Sequence, residues 1–441
     1  MAQAGTVLGR SLLHQAVKNV IHSAFSNVGQ KCSATSLLIL EKEVYEDNDF
    51  RTQLVDASKS WETGSPWAFE TRIGPLIHPP DGDLKRALDY LEQGEEWALA
   101  PENVDNNPHL WSPGIKWHVS PGSYTHMTEF FGPVLSVLCA KNLEHAVELV
   151  NQTGYGLTSG LESLDEREQA YWMETIKAGN LYINRGTTGA VVLRQPFGGM
   201  GKSAVGCGIK AGGPNYALQF MNFRDIGFPV TGAAEKKTPL LELMEEWFIR
   251  VKNGGFPFDD IEMLKIIAAV KNYHYAFDSH FVKERDYFHL RGQDNCLRYR
   301  PTGKIIVRMH EEDSLFETLG RVAAAVVAGC DCRVSYPAGL NNSVISFLEN
   351  IDGKTFLGET DIICQEDQDL IGMMDILDRI RFAATDRISH DVVNAAASKG
   401  FYISATPVLM EGRIELLQYL REQSICSDYH RYGNLGERAV K

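Results

Sequence analysis

The chain lacks an apolar run long enough to cross a bilayer: its longest, Val322 to Cys330, falls far short of the ~20 residues a spanning helix needs. Its first residues lack the basic-then-apolar order of an export signal. Basic excess is absent too, with 43 Lys and Arg against 57 Asp and Glu and a formal net charge of −14. Nucleic acid, whose phosphates reward basic surface through counterion release, is therefore a poor partner. The expectation is a cytoplasmic protein acting on small molecules or proteins, with no membrane span. The eight cysteines never form a CxxC pair. Their one close pair, Cys330 and Cys332, has no neighbouring histidine, so neither a disulfide framework nor a metal site is expected.

Three catalytic or nucleotide-binding patterns come close and fail on their own physics. Gly201-Lys202-Ser203 resembles the end of a phosphate-binding loop, but Pro196 stands where that loop needs glycine. Gly199 to Ala204 fits a dinucleotide fingerprint by letter, yet Gly206, Gly208, Gly212, Gly213 and Pro214 leave no room for the helix that must come next. Gly156 to Gly160 places its serine one position too late for a hydrolase elbow.

What is present is an α/β pattern. A chain of 441 residues suggests two or three domains, and 44% hydrophobic with 23% charged residues is ordinary globular composition. Apolar residues at helical spacing from Leu13 to Ser26 predict a helix that Gly29 stops, and Ser36 to Leu40 predicts a buried strand, followed by an acidic helix near Tyr45 to Ser58. Strands at Lys116 to Val119, Val134 to Ala140 and Asn180 to Ile183, with helices at Leu143 to Asn151 and Glu166 to Ala178, predict a largely parallel sheet. The Gly-rich segment Gln195 to Asn215 reads as an ordered loop. Phe228 to Lys237 looks like a boundary, with amphipathic helices at Leu240 to Lys252 and Asp260 to Tyr273 beyond it. Strands at Lys304 to Met309, Cys332 to Ser335 and Arg381 to Ala384, with helices at Leu315 to Ala328, Asn342 to Glu349 and Ser389 to Ser398, make a second, Rossmann-like unit.

Among the cysteines Cys32 has the most suggestive surroundings. A nucleophilic thiol needs a turn that exposes sulfur, amides for an oxyanion and nearby positive charge, which Gly29, the loop backbone and Lys31 could supply. By its residues alone it remains open whether Cys32 is a nucleophile or a thiol packed at a helix end.

The segment Ser26-Asn27-Val28-Gly29-Gln30-Lys31-Cys32-Ser33-Ala34 resembles the nucleophile signature of aldehyde dehydrogenases. Glu129-Phe130-Phe131-Gly132-Pro133-Val134 resembles that superfamily's second hallmark. Tyr182 to Ala190, continuing through Arg194 to Ser203, is similar to the L-glutamate γ-semialdehyde (1-pyrroline-5-carboxylate) dehydrogenase modules of proline utilization A proteins. The likeness runs from about His14 to Phe223. It implies an NAD-dependent enzyme in which Cys32 forms a thiohemiacetal and then a thioester that water hydrolyses to glutamate. Glu129 would hold the nicotinamide ribose and Phe131 would pack by the nicotinamide. The Cys32 amide would form part of the oxyanion hole. Ser33, Gly189 and Ala190 would grip the substrate's α-carboxylate, and Phe197 would flank its aliphatic stem.

In that family a cofactor domain precedes the cysteine and supplies an oxyanion asparagine and a water-activating glutamate. Only 31 residues precede Cys32 here, and Met1 to Leu13 do not match the usual lead-in, so the expectation is a chain without that domain and with little turnover alone. Arg300 to Lys304, Gly320 to Gly329, Val334 to Pro337 and Arg381 to Asp386 resemble the cofactor domain itself, as in the extra C-terminal domain of longer proline utilization A proteins. Tyr336 replaces the expected lysine and Ala384 the expected glycine, which should weaken NAD binding there. The implied plan is an unmatched segment 1–13, an αβα aldehyde dehydrogenase catalytic domain 14–227, a linker and helical region 228–298, and a degenerate Rossmann-like domain 299–441. A homo-oligomer and an upstream proline dehydrogenase domain are the implied partners. The alternative is a non-catalytic assembly fragment of such a protein.

Overall fold

The computed structural model describes residues 4–8, 13–229, 238–253, 258–340, 342–349, 356–358 and 360–429. Most of the expected boundary at Phe228 to Lys237 lies outside them. A ten-stranded sheet dominates the fold. Its order is Arg285–Asp286, Gln293–Pro301, Leu420–Asp428, Asn180–Ile183, Thr158–Glu162, Ala4–Leu8, Thr35–Glu41, Val134–Ala140, Gly114–Trp117 and Glu96–Leu99. The seven strands from Leu420–Asp428 to Gly114–Trp117 run parallel, and antiparallel pairs finish both edges.

The core of this sheet follows from its composition. Leu37, Leu38, Ile39, Leu40, Leu135, Val137 and Leu138 are buried on successive positions, as expected where helices cover both faces of a parallel sheet. Helix Leu13–Phe25 covers one face, burying Ala16, Val17, Val20, Ile21, Ala24 and Phe25. Helices Leu143–Gln152 and Glu166–Thr175 cover the other. This is the expected αβα sandwich.

The second unit is a five-stranded parallel sheet in the order Asp361–Cys364, Asp331–Tyr336, Lys304–Arg308, Arg379–Arg381, Ile403–Ser404. In chain order this is 3-2-1-4-5, the arrangement of a doubly wound dinucleotide fold.

Three boundaries read from the sequence shift. Ala4–Leu8, placed outside the domain, is an interior strand paired on both sides. The cut at 299 falls inside strand Gln293–Pro301, which pairs antiparallel with Leu420–Asp428, so the second sheet is inserted between two strands of the first. Helices Pro239–Lys252 and Asp260–Ala276, expected in a linker region, bury Met244, Trp247, Met263, Ile266 and Val270 in one core with Ile305, Val307 and Val322. The reason is common to all three: strand pairing and helix docking join segments far apart in the chain, and local periodicity carries no record of the partner.

Among the described residues no helix is long and apolar enough to cross a membrane, and no group of three or more His, Cys, Asp and Glu could hold a metal ion.

Candidate active site

The turn that carries the thiol is built from an unusual backbone. Helix Leu13–Phe25 ends in Ser26–Gly29, where Asn27, Val28 and Gly29 take φ of 55°, 53° and 71°. Positive φ at a β-branched valine is an outlier that surrounding structure must impose. Gln30 N–H donates to the Asn27 carbonyl (2.9 Å), and Ala34 N–H to that of Lys31 (3.0 Å), closing two successive turns. Cys32 emerges from them exposed, while Ser33, Ala34 and Thr35 are buried at the head of strand Thr35–Glu41.

The second hallmark docks on this turn. A Cβ on Gly29 would stand 2.2 Å from the Gly132 carbonyl oxygen, so the two backbones approach as closely as only glycine allows. A Cβ on Gly132 would in turn lie 2.3 Å from Leu84 Cδ1. Phe130 is buried with Ala87, Leu88 and Val134. Phe131, at φ 55°, is turned outward and 41% exposed, and Glu129 is half-buried beside it.

The third segment reaches the same turn from the other side. Thr187 Oγ1 donates to the Ser33 carbonyl (2.8 Å) and lies 3.0 Å from Thr35 Oγ1, and Thr187 N–H donates to Ser23 Oγ (3.0 Å). Gly189, at φ 83° with open space where a Cβ would be, and Ala190 follow at the surface. Between them and Thr187, the Thr188 hydroxyl is buried without a hydrogen-bond partner among the described residues. Cys32 and Ser33 thus lie within the turn, Gly132, which follows Phe131, docks on its Gly29, and Thr187, two residues before Gly189, bonds its Ser33 carbonyl.

Phe197 is half-buried further along, its N–H and carbonyl exchanging bonds with Ala211 (2.9 and 3.0 Å). The Gly-rich segment around it forms no continuous helix or long strand, as expected. Met200–Gly201 pairs with Tyr155–Gly156, and the chain beyond Gly201 is loop rather than a phosphate-binding helix. Lys210, buried in this loop, donates from Nζ to Gly198 O and to Asn180 Oδ1, the latter at 3.3 Å. Burial pushes its ammonium pKa down to about 7, against the pull of nearby Glu422.

Several residues of the site escaped the sequence reading. Tyr182 is buried below the thiol loop, where the desolvated phenol is pushed well above its ordinary range. The Arg185 guanidinium lies 5.2 Å from the Tyr182 ring centroid, and Arg185 Nη1 reaches Cys426 Sγ. Gln195 is buried and bonds Asn295 and the same sulfur. Arg185 and Gln195 lie within the segments that resemble the semialdehyde dehydrogenases and carried that much signal. Cys426 carried none, since its donors Arg185 and Gln195 come from loop positions 241 and 231 residues away in the chain.

The second unit does not fit a dinucleotide. At the carboxyl end of its first strand, where such folds admit a pyrophosphate, Arg308 is buried and donates to Ser335 Oγ (2.7 Å), the Gln365 carbonyl (2.9 Å) and Asp367 (2.7 Å). Tyr336 donates to Glu349 (2.6 Å). Ala384 precedes only the three-residue turn Thr385–Arg387, and Arg387 is held by Asp313 and Glu317 rather than left to meet phosphate.

The comparisons with known proteins agree with this geometry. The chain is 34% identical over 217 residues to 1-pyrroline-5-carboxylate dehydrogenase of Geobacillus sp., covering 48% of this chain and 41% of that protein. It is 34% identical over 212 residues to the enzyme of the same name from Bacillus subtilis, covering 47% and 40%. The solved structure of proline utilization A (PutA) from Corynebacterium freiburgense superposes on 98% of this chain and 39% of its own, with a TM-score of 0.78 at 34% identity. The chain therefore spans about two fifths of the length of these relatives. Residues 4–226, which hold the exposed thiol, the outward phenylalanine and the loop behind them, match the aldehyde dehydrogenase family, and the chain belongs to that family.

Proposed function

We propose that this chain carries the thiol side of an NAD-dependent L-glutamate γ-semialdehyde dehydrogenase of proline breakdown, with Cys32 as nucleophile. The observation that carries the reading is the meeting of three sequence-distant segments at the Cys32 turn through Gly29, Gly132 and Thr187. The names of the relatives support the substrate class.

The Cys32 thiolate attacks the aldehyde carbon, forming a C–S bond, and its own backbone N–H steadies the oxyanion of the resulting thiohemiacetal. Ser33 and the amides of Gly189 and Ala190 receive the α-carboxylate, with the Thr188 hydroxyl within the same loop. Phe197 flanks the aliphatic stem, leaving the aldehyde end toward the thiol. Fit to a nicotinamide rests on Phe131, whose exposed ring and left-handed backbone project from a loop held against the thiol turn, with Glu129 two residues before it. NAD supplies acceptance of the hydride that turns thiohemiacetal into thioester. Water then cleaves the C–S bond, giving glutamate and the free thiol.

The second unit acts as a buttress: the strand that leaves it pairs within the first sheet, between Gln293–Pro301 and Asn180–Ile183. This leaves room for the alternative, an assembly fragment without turnover. Limiting iodoacetamide followed by peptide mapping tests the thiol, with Cys364, also exposed, as the internal control. Cys32 is expected to react first, and equal rates at the two cysteines would remove it as the nucleophile. NADH formation from semialdehyde and NAD, abolished in Cys32→Ala, tests the reaction. Defined oligomers with no NADH formation would favour the assembly reading.

A further inference from the structure

The loop that holds Gly189 and Ala190 is fixed at its front by Thr187, which bonds the thiol segment. Its two stems converge on a single atom behind it. Arg185 Nη1 lies 2.7 Å and Gln195 Nε2 3.2 Å from Cys426 Sγ. Gln195 also closes the loop on itself, its Oε1 accepting from Val191 N–H (2.8 Å) and its backbone N–H donating to the Val191 carbonyl (2.8 Å). Its amide is held from outside by Asn295 Oδ1 at 2.6 Å.

Cys426 belongs to strand Leu420–Asp428, whose register places it between Tyr182 on one side and Asn295 on the other. The side chain is 0% exposed, and burial pushes the thiol up to about 11, so it stays a neutral thiol at physiological pH. A buried neutral sulfur can accept from both donors without bringing a second charge into the site. The Arg185 guanidinium thus rests on a thiol and an aromatic ring, neither of which bears charge at neutral pH.

We propose that Cys426 is a positioning residue for the substrate loop: by fixing Arg185 and Gln195 it sets the aim of the Gly189 and Ala190 amides at the substrate carboxylate. The ligand part of this rests on the role proposed for those amides under the function. The strand after the inserted second unit therefore reaches into the site from behind, through one side chain that touches neither substrate nor cofactor.

Three variants of the full chain separate hydrogen bonding from packing. Cys426→Val removes the acceptor and keeps an apolar side chain, one methyl group larger, Cys426→Ser keeps an acceptor on a shorter bond, and Arg185→Met removes the donor from the loop side without touching the packing at Cys426. Amide hydrogen exchange of residues 186–194 is the first readout. Cys426→Val is expected to speed exchange there about tenfold, the equivalent of one lost hydrogen bond of ~1.4 kcal/mol, with Cys426→Ser returning most of the protection. Arg185→Met is expected to match Cys426→Val, and it decides the matter should the Cys426 variants fail to fold. Unchanged exchange in Cys426→Val or in Arg185→Met would overturn the proposal, as would serine failing to restore protection where valine loses it. L-Glutamate is the second probe. Its dissociation constant is expected to rise about tenfold in Cys426→Val and to recover in Cys426→Ser. A wild-type chain that binds no glutamate would defeat the substrate reading and leave the exchange result to judge the clamp.

Discussion

Gly29 shows how narrowly single positions are specified at this site. It combines φ of 71° with a carbonyl 2.2 Å from where a Cβ would stand. Gly29→Ala must therefore distort its own backbone and push the Gly132 loop away, at a cost of at least ~2 kcal/mol. Urea unfolding is expected to give an unfolding free energy lower by that amount, and an alanine variant as stable as wild type would mean that the two loops are not in contact. The glycine was legible in the sequence as the stop of a helix. Its second duty, admitting Gly132, was not, because a close approach depends on a residue more than a hundred positions away. Val28 is similar: nothing in its letter announces a left-handed backbone.

At the scale of elements, the loop from Gln195 to Asn215 is organised by polar groups buried between strands. Lys210 N–H donates to Glu422 Oε2 (2.6 Å) and Asn215 Nδ2 to Glu422 Oε1 (2.6 Å), while Lys210 Nζ holds Gly198 and Asn180. The ammonium pKa near 7 has a consequence for stability, since the unfolded lysine titrates near its ordinary 10.5. Above pH 7 the unfolded chain holds a proton there that the folded chain has lost, so stability rises with pH, by at most about 1.4 kcal/mol per unit for one proton. Buried thiols such as Cys332 and Cys426, raised above their ordinary 9.0, oppose this at higher pH. The expected signature is a urea midpoint that climbs between pH 7 and 9, with the climb absent in Lys210→Met. An equal slope in both proteins would assign the titration elsewhere. Strands such as Val134–Ala140 and Asn180–Ile183 were legible from their apolar runs. Leu420–Asp428 was not, because it buries Glu422, Gln423 and Ser424, residues that read as surface until their partners are known.

At the scale of the molecule, the two sheets are joined by a polar core in the second unit. Arg381 and Glu415, 0% and 1% exposed in their side chains, pair at 2.9 Å, and Glu415 also accepts from Tyr419 (3.0 Å) and Leu409 N–H (3.0 Å). Tyr419 is the residue just before the strand that returns to the thiol-bearing sheet. Glu415→Leu leaves a buried guanidinium without its counter-charge and is expected to cost about 3–5 kcal/mol. Arg381→Met added to it is expected to recover part of that loss, because no uncompensated charge then remains. Chemical denaturation of the two variants checks the order, and a double variant less stable than Glu415→Leu would contradict it.

By itself the sequence determined the helix that delivers Cys32, the turn at Gly29, the αβα class and the family resemblance, because periodicity, glycine placement and motif letters are local and survive without partners. Only the tertiary structure decided that Ala4–Leu8 lies inside the sheet, that the second unit is inserted between Gln293–Pro301 and Leu420–Asp428, and that Arg308, at the end of that unit's first strand, is held by Ser335, Gln365 and Asp367. It also changed one cysteine's standing, since Cys426, which belongs to no motif, becomes, once strand Leu420–Asp428 pairs with Asn180–Ile183, the common acceptor for Arg185 and Gln195 at the two stems of the loop that holds Gly189 and Ala190. The physical reason is that hydrogen bonds between distant strands are set by register in space, and register is written in neither segment alone.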